Sequence, residues 1–261
     1  KDNPEARMSI GDHLRELRQR LFVSAAGVMV MTVVGYLVYE RAFALITRPI
    51  EQANAKGAHL TLNFDTILAS FDMKLEVSIW LGILFSSPLW IYEFWAFVGP
   101  GMTRKEKAYT WAYGTAGLFL FLAGAALGIW VMPHAVAILT SFIPNGPTAG
   151  VIGANLYLSF IMRMVLAFGI AFLLPEVLVA LNMLGLMQGK TMLKGWRWAI
   201  VGIVTFMAIV NPMPDPWSMI FMSVPIAGLY FLACFISIRH DKRVERKRAE
   251  LDAELEAALA E

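Results

Sequence analysis

The chain has 261 residues, of which 58% are hydrophobic and only 16% charged, with a formal net charge of +2. A soluble domain carries about 25% charged residues, so the composition excludes an ordinary soluble enzyme and gives no reason to expect a nucleic-acid partner. It points instead to a polytopic helical membrane protein. The single cysteine, Cys234, can form no intramolecular disulfide, and His13, His59, His134 and His240 lack metal-ligand spacing, so neither a metal nor another cofactor is expected.

Ile10, Leu14, Leu17 and Leu21 recur at steps of four, three and four, which draws one apolar stripe along a helix. Ser9 followed by Asp12 is a capping-box start. Arg15, Glu16, Arg18 and Arg20 charge the other face. The stretch runs without a breaker into the apolar segment 21–39, so an interfacial helix leads straight into the first span. That segment is too long for a signal-peptide core and is kept as a span. The polar stretch that follows, with Arg48-Pro49, Gly57 and Asp65, is expected as a loop. The second span covers 74–97, is broken by Pro88, carries Glu93, and ends at Gly99-Pro100-Gly101. A short charged loop, 103–107, precedes the third span, 108–132, which Pro133 closes. A Pro/Gly-rich loop leads to the fourth span, 156–187, with Arg163, Pro175 and Glu176. After a basic loop, the fifth span, 198–210, stops at Asn211-Pro-Met-Pro-Asp215-Pro, and the sixth covers 217–238.

Thirteen residues in the fifth span reach only ~20 Å against a ~30 Å hydrocarbon core. That helix either thins the bilayer or forms a re-entrant hairpin with the sixth. Pro88, Pro133, Pro175 and Pro225 bend or end helices. Gly124 and Gly128 form a small-xxx-small pair suited to close helix packing. The tail, 239–261, is first basic and then acidic, with Leu251, Leu255 and Leu259 at four-residue steps; it extends the sixth helix and anchors to anionic lipid. Seventeen of the 22 Lys and Arg fall on one side of the six segments, four (Arg41, Arg48, Lys56, Lys74) on the other, and Arg163 within a span. This bias puts both termini in the cytoplasm. The organisation expected is an all-α membrane domain of six kinked transmembrane helices, 1–238, followed by a charged cytoplasmic tail, 239–261.

Several motifs recur together along residues 9–238: His13-Leu-Arg-Glu-Leu-Arg-Gln-Arg-Leu21, Arg48-Pro49, Trp95-Ala-Phe97-Val-Gly-Pro100, Arg104-Lys105-Glu106, Tyr157-Leu-Ser-Phe160, Phe168-Gly-Ile-Ala-Phe172 and Pro212-Met-Pro-Asp215. In this order and spacing the chain resembles the TatC family, the multi-span receptor subunits of the twin-arginine protein translocase. The resemblance implies a cupped six-helix fold in the cytoplasmic membrane, with Pro49, Pro88 and Pro175 shaping it. It implies that Glu16 and Glu106, with Arg18, Phe97 and Lys105 around them, bind the paired arginines of a signal peptide. The proteins so recognised cross folded, driven by the protonmotive force. The partners implied are those peptides, single-span TatA/TatB-type subunits, lipid, and further copies of the chain in a homo-oligomer. The family's usual membrane-embedded Glu behind the second Phe is Leu173 here; Glu176, one turn on, stands in for it. Glu176, with Asn211 and Asp215, is then expected to meet a partner's helix.

The residues alone leave plainer readings open. Glu16 sits at i,i+4 from Arg20, and Glu106 beside Arg104 and Lys107, as ordinary solvated pairs do. Trp95 and Phe97 also suit an interfacial aromatic belt. Glu176 could be protonated, or bonded to Asn182 or Thr205. No enzyme activity is expected, because no Ser/His or Asp/Asp pair is placed at matching depth. The alternative function is a secondary transporter of a small solute, which the lack of an internal repeat disfavours.

The orientation is tested with single cysteines in a Cys234→Ala background. Gly57→Cys and Pro147→Cys should label from outside intact cells, and Lys105→Cys and Met192→Cys only after permeabilisation. Outside labelling at position 105 would overturn the assignment.

Overall fold

In hydrocarbon every backbone N–H and C=O must find a partner inside the chain, and a helix provides these within one segment. The computed structural model, which describes residues 10–55, 60–64, 66–98, 107–141, 150–183, 185–210 and 216–260, follows that rule. The described residues form eight helices and two four-residue strands. The chain divides into two units, one ending at Ile170 and the other beginning at Ala171.

In the first unit, α1 (Ile10–Ala55) is 46 residues long and does not stop at the apolar edge expected near residue 39. Pro49, expected in a loop, lies inside it. The helix persists because its last turns are buried, at Ile46, Thr47, Pro49, Ile50 and Ala53. The backbone there is also patched by side chains. The Tyr157 hydroxyl donates to the Ile46 carbonyl at 2.8 Å, and Thr47 Oγ1 to the Phe43 carbonyl at 3.0 Å. Next comes β1 (Leu60–Asn63), which pairs in parallel with β2 (Gly150–Gly153), Leu60 opposite Gly150 and Asn63 opposite Gly153. This small sheet departs from the all-α expectation. Asn54 starts it: its side-chain amide donates to the Leu60 carbonyl at 2.8 Å and accepts from the Leu60 N–H at 2.6 Å, as a peptide group would.

The expected second span is two helices, α2 (Ala69–Phe85) and α3 (Ser87–Val98), bent by 53° at the break. Pro88 has no N–H to continue the ladder. Trp90 Nε1 donates to the Ile83 carbonyl at 3.0 Å and satisfies a group beside the break. α4 (Lys107–Ser141) carries Pro133 inside it rather than at its end. α5 (Ala154–Met183) begins in this unit and continues into the second. Phe121 of α4 is fully buried, edge-on to Trp90 at 5.1 Å and against Gly169 of α5. A Cβ on Gly128 would stand 3.0 Å from the Val165 Cα, so the small residue does serve close packing of α4 on α5.

In the second unit, α5 ends at Met183 rather than near 187. Gly185 adopts φ 73°, its N–H bonds the Asn182 carbonyl, and the Leu186 N–H bonds the Leu181 carbonyl. This is the Schellman stop, which a left-handed glycine makes at little cost. α6 (Gly189–Lys194), α7 (Trp196–Val210) and α8 (Pro216–Ala260) follow. Asp241 of α8 fixes the loop between α5 and α6: its two oxygens accept from the Asn182 amide at 2.8 Å and the Gly189 N–H at 2.7 Å. The tail continues α8 as helix to Ala260.

Among the described residues four helices are long and apolar enough to cross a bilayer, and the bent pair α2–α3 makes a fifth. The fifteen residues of α7 reach only ~22 Å, short of the ~30 Å core.

Helices α1 and α2 approach through glycine. A Cβ on Gly82 would stand 2.8 Å from the Thr32 backbone nitrogen, and one on Gly35 2.6 Å from the Ser78 carbonyl oxygen. Gly82→Ala should therefore cost about 1–3 kcal/mol by overpacking, read as a lower thermal midpoint in detergent. Gly202→Ala, whose Cβ meets nothing within 4 Å, should not lower it. An unchanged midpoint for Gly82→Ala would refute the close contact.

Candidate functional site

The site is built on an antiparallel seam between α1 and α3. Three contacts mark it. The His13 ring stacks on Phe97 at 4.4 Å and 19°. Arg20 meets Glu93. Gly27 leaves room for the Leu89 side chain, which its Cβ would strike. The residue numbers rise along one helix as they fall along the other, at helical spacing, so one face of α1 is engaged throughout.

The Arg20 guanidinium stands at the centre. Its Nε and Nη2 donate to the same oxygen of Glu16, Oε1, at 3.0 and 2.7 Å, and its Nη1 donates to Glu93 Oε2 at 2.8 Å. Two carboxylates and one guanidinium leave the cluster one negative charge. Its members are only partly exposed, Glu93 least at 15%, so their attraction is less screened than on an open surface. Glu16 Oε2 is buried and accepts no hydrogen bond among the described residues.

The i,i+4 pairing of Glu16 with Arg20, the plainer reading of those residues, is thus present. Glu93, passed over in the sequence, is the residue that reasoning missed. The signal was an acid inside an apolar run, which demands a counterion. Phe97 is half-buried at the same seam, and Arg18 is exposed on α1. Trp95 is buried against Tyr113 at 5.0 Å, which makes it core rather than belt. Lys105, Glu106, Asn211 and Asp215 lie outside the described residues. Glu176 is buried in the part of α5 belonging to the second unit, next to the buried Pro175. Both amide hydrogens of Asn182, one of the groups offered for Glu176, are committed to the Met187 carbonyl and to Asp241.

A second acid was also missed. Glu76 of α2 accepts from Ser159 of α5 at 2.6 Å and from Trp80 Nε1 at 3.4 Å. Beside it, Lys74 lies over the Tyr36 and Tyr39 rings at 4.3 and 5.3 Å. Charge within the apolar layers is thereby matched by polar or aromatic groups.

Residues 12–225 match the family described as Sec-independent protein translocase protein (TatC). The chain belongs to the TatC family. The Sec-independent protein translocase protein TatC of Xylanimonas cellulosilytica is 43% identical over 244 residues, covering 93% of this chain and 88% of that one. The TatC of Rothia mucilaginosa is 36% identical over 253 residues, covering 96% and 86%. A chloroplastic TatC from Arabidopsis thaliana is 30% identical over 223 residues, covering 85% of this chain and 64% of the relative. A crystal structure described as the twin-arginine translocase receptor TatC, in DDM, matches with a TM-score of 0.75 and 26% identity, over 86% of this chain and 99% of that one. As a TatC, the chain is a multi-pass membrane component of the twin-arginine protein translocase and works with other subunits of that machine. The small-solute transporter alternative is not favoured.

Proposed function

We propose that this chain recognises twin-arginine signal peptides at the cytoplasmic end of the α1–α3 seam, and nucleates the translocase that moves folded proteins across the cytoplasmic membrane on the protonmotive force. Glu16 is one carboxylate of the receptor site and Glu106 the other, with Arg18, Phe97 and Lys105 lining it. The observation that supports this reading is that Glu16 already holds an arginine fork, that of Arg20, in a partly buried setting. The carboxylate is thus placed and screened from water as guanidinium recognition needs. In this proposal both termini are cytoplasmic, α7 is the short fifth of six spans, residues 239–261 are a cytoplasmic tail, and TatA/TatB-type helices dock near Glu176, Asn211 and Asp215. Copies of the chain form a homo-oligomer.

The acids are tested by binding of a twin-Arg peptide to the purified protein. Glu16→Gln and Glu106→Gln should each weaken it about ten- to a hundred-fold, since a charge-assisted hydrogen bond contributes about 1.5–3 kcal/mol. The double variant should be no better than the worse single one. Unchanged affinity in both single variants would remove the reading.

For the partner helix, Glu176→Ala should leave peptide binding intact and reduce co-purification of the single-span subunits. The combination Leu173→Glu with Glu176→Leu should retain much of the assembly, because the two positions lie about one turn apart on nearly the same face. Normal assembly and transport by Glu176→Ala would sink this part.

A further inference from the structure

Arg20 occupies the carboxylate that an incoming peptide arginine needs. It takes only one oxygen of Glu16, while Oε2 is buried with no hydrogen bond among the described residues. A guanidinium fork binds a carboxylate through both oxygens, so the resident pairing leaves part of the site unused. Arg20 also has somewhere to go. Its Nη1 is already bonded to Glu93 Oε2 at 2.8 Å, and Glu93 belongs to a different helix from Glu16. The guanidinium can therefore give up Glu16 without being left as an unpaired charge in a partly buried place.

We propose that Glu93 is a positioning residue for peptide recognition: it retains the Arg20 guanidinium when a peptide guanidinium displaces it from Glu16. Arg20 is then a placeholder. In the free protein it occupies one oxygen of Glu16, and on binding it swings wholly to Glu93. The exchange conserves ion pairs: one arginine–carboxylate contact to Glu16 is replaced by another, and the contact to Glu93 persists. Without Glu93 the placeholder has only Glu16, and the peptide must compete with an arginine that has no second partner. This inference rests on Glu16 being a receptor carboxylate.

The test measures binding of a synthetic peptide containing the Arg-Arg pair, with a Lys-Lys control, to the full chain in lipid nanodiscs. Glu16→Gln is the control for the underlying reading; if it leaves affinity unchanged, that reading fails whatever the other variants do. Given a loss there, Glu93→Gln should weaken binding about three- to tenfold. Adding Arg20→Gln should rescue it to wild-type affinity or better, because no placeholder then remains. The doubly substituted cluster carries the same net charge as the wild type, so long-range attraction does not account for the rescue. Arg20→Met, which keeps the apolar stem, replaces Arg20→Gln if the latter misfolds. Three results overturn the proposal: wild-type affinity in Glu93→Gln; a double variant that stays as weak as Glu93→Gln, which makes Glu93 a direct peptide contact; or a loss of affinity in Arg20→Gln alone, which makes Arg20 a required support of Glu16.

Discussion

The backbone's need for internal hydrogen bonds in hydrocarbon governs this molecule more than any single side-chain contact. An unsatisfied N–H or C=O there costs several kcal/mol, so helices run on past the apolar segments that first suggest them. Where the ladder is disturbed, side chains mend it. Trp90 serves the Ile83 carbonyl beside the α2–α3 break, and Tyr157 serves Ile46 a turn before Pro49. Asn54 supplies the donor and acceptor that begin the β1–β2 pairing. Proline sits inside four helices, at Pro49, Pro133, Pro175 and Pro225.

With the backbone satisfied, association of the helices depends on shape. Apolar side chains gain little by leaving lipid for protein, so close approach and dispersion contribute most. Gly35 and Gly82 let α1 and α2 touch backbone to backbone, while Gly169 seats the ring of Phe121. The charged groups follow the same economy. Arg20 serves two acids, and Glu76 is answered by Ser159 and Trp80. Glu93 and Glu76 each meet a residue of another helix, so each also sets the register of the seam it lies on.

The apolar runs were legible because bilayer thickness demands them: each lies within a helix or, for the second, within the bent pair, except the fourth, whose last residues pass the end of α5 at Met183. Their ends were not. Glu40, Arg41 and Glu51 are tolerated in the turns that carry α1 to Ala55, and nothing in their types marks a stop. Gly185 was a readable stop, since a left-handed glycine ends α5. The strands were illegible for a different reason: four residues with glycine at both ends of β2, paired across some ninety positions, leave no local pattern. The candidate site divides in the same way. Glu16 stands out within a local charged motif and pairs with Arg20 one turn on. Glu93 pairs with a residue 73 positions away, and only the packing of α1 on α3 brings that partner to it.

Under the proposed function, that packing bears on how the site prefers arginine to lysine. The arginine already on Glu16 raises the standard for a ligand. To displace a guanidinium that makes two hydrogen bonds to one oxygen of Glu16, the incoming group must offer a fork of its own, and it gains if it reaches the second oxygen as well. The ammonium of lysine is a strongly hydrated point charge without that geometry. A placeholder with a second carboxylate to retreat to therefore makes selectivity a comparison between two arginines, in which a lysine starts at a disadvantage before any contact to the rest of the peptide is made.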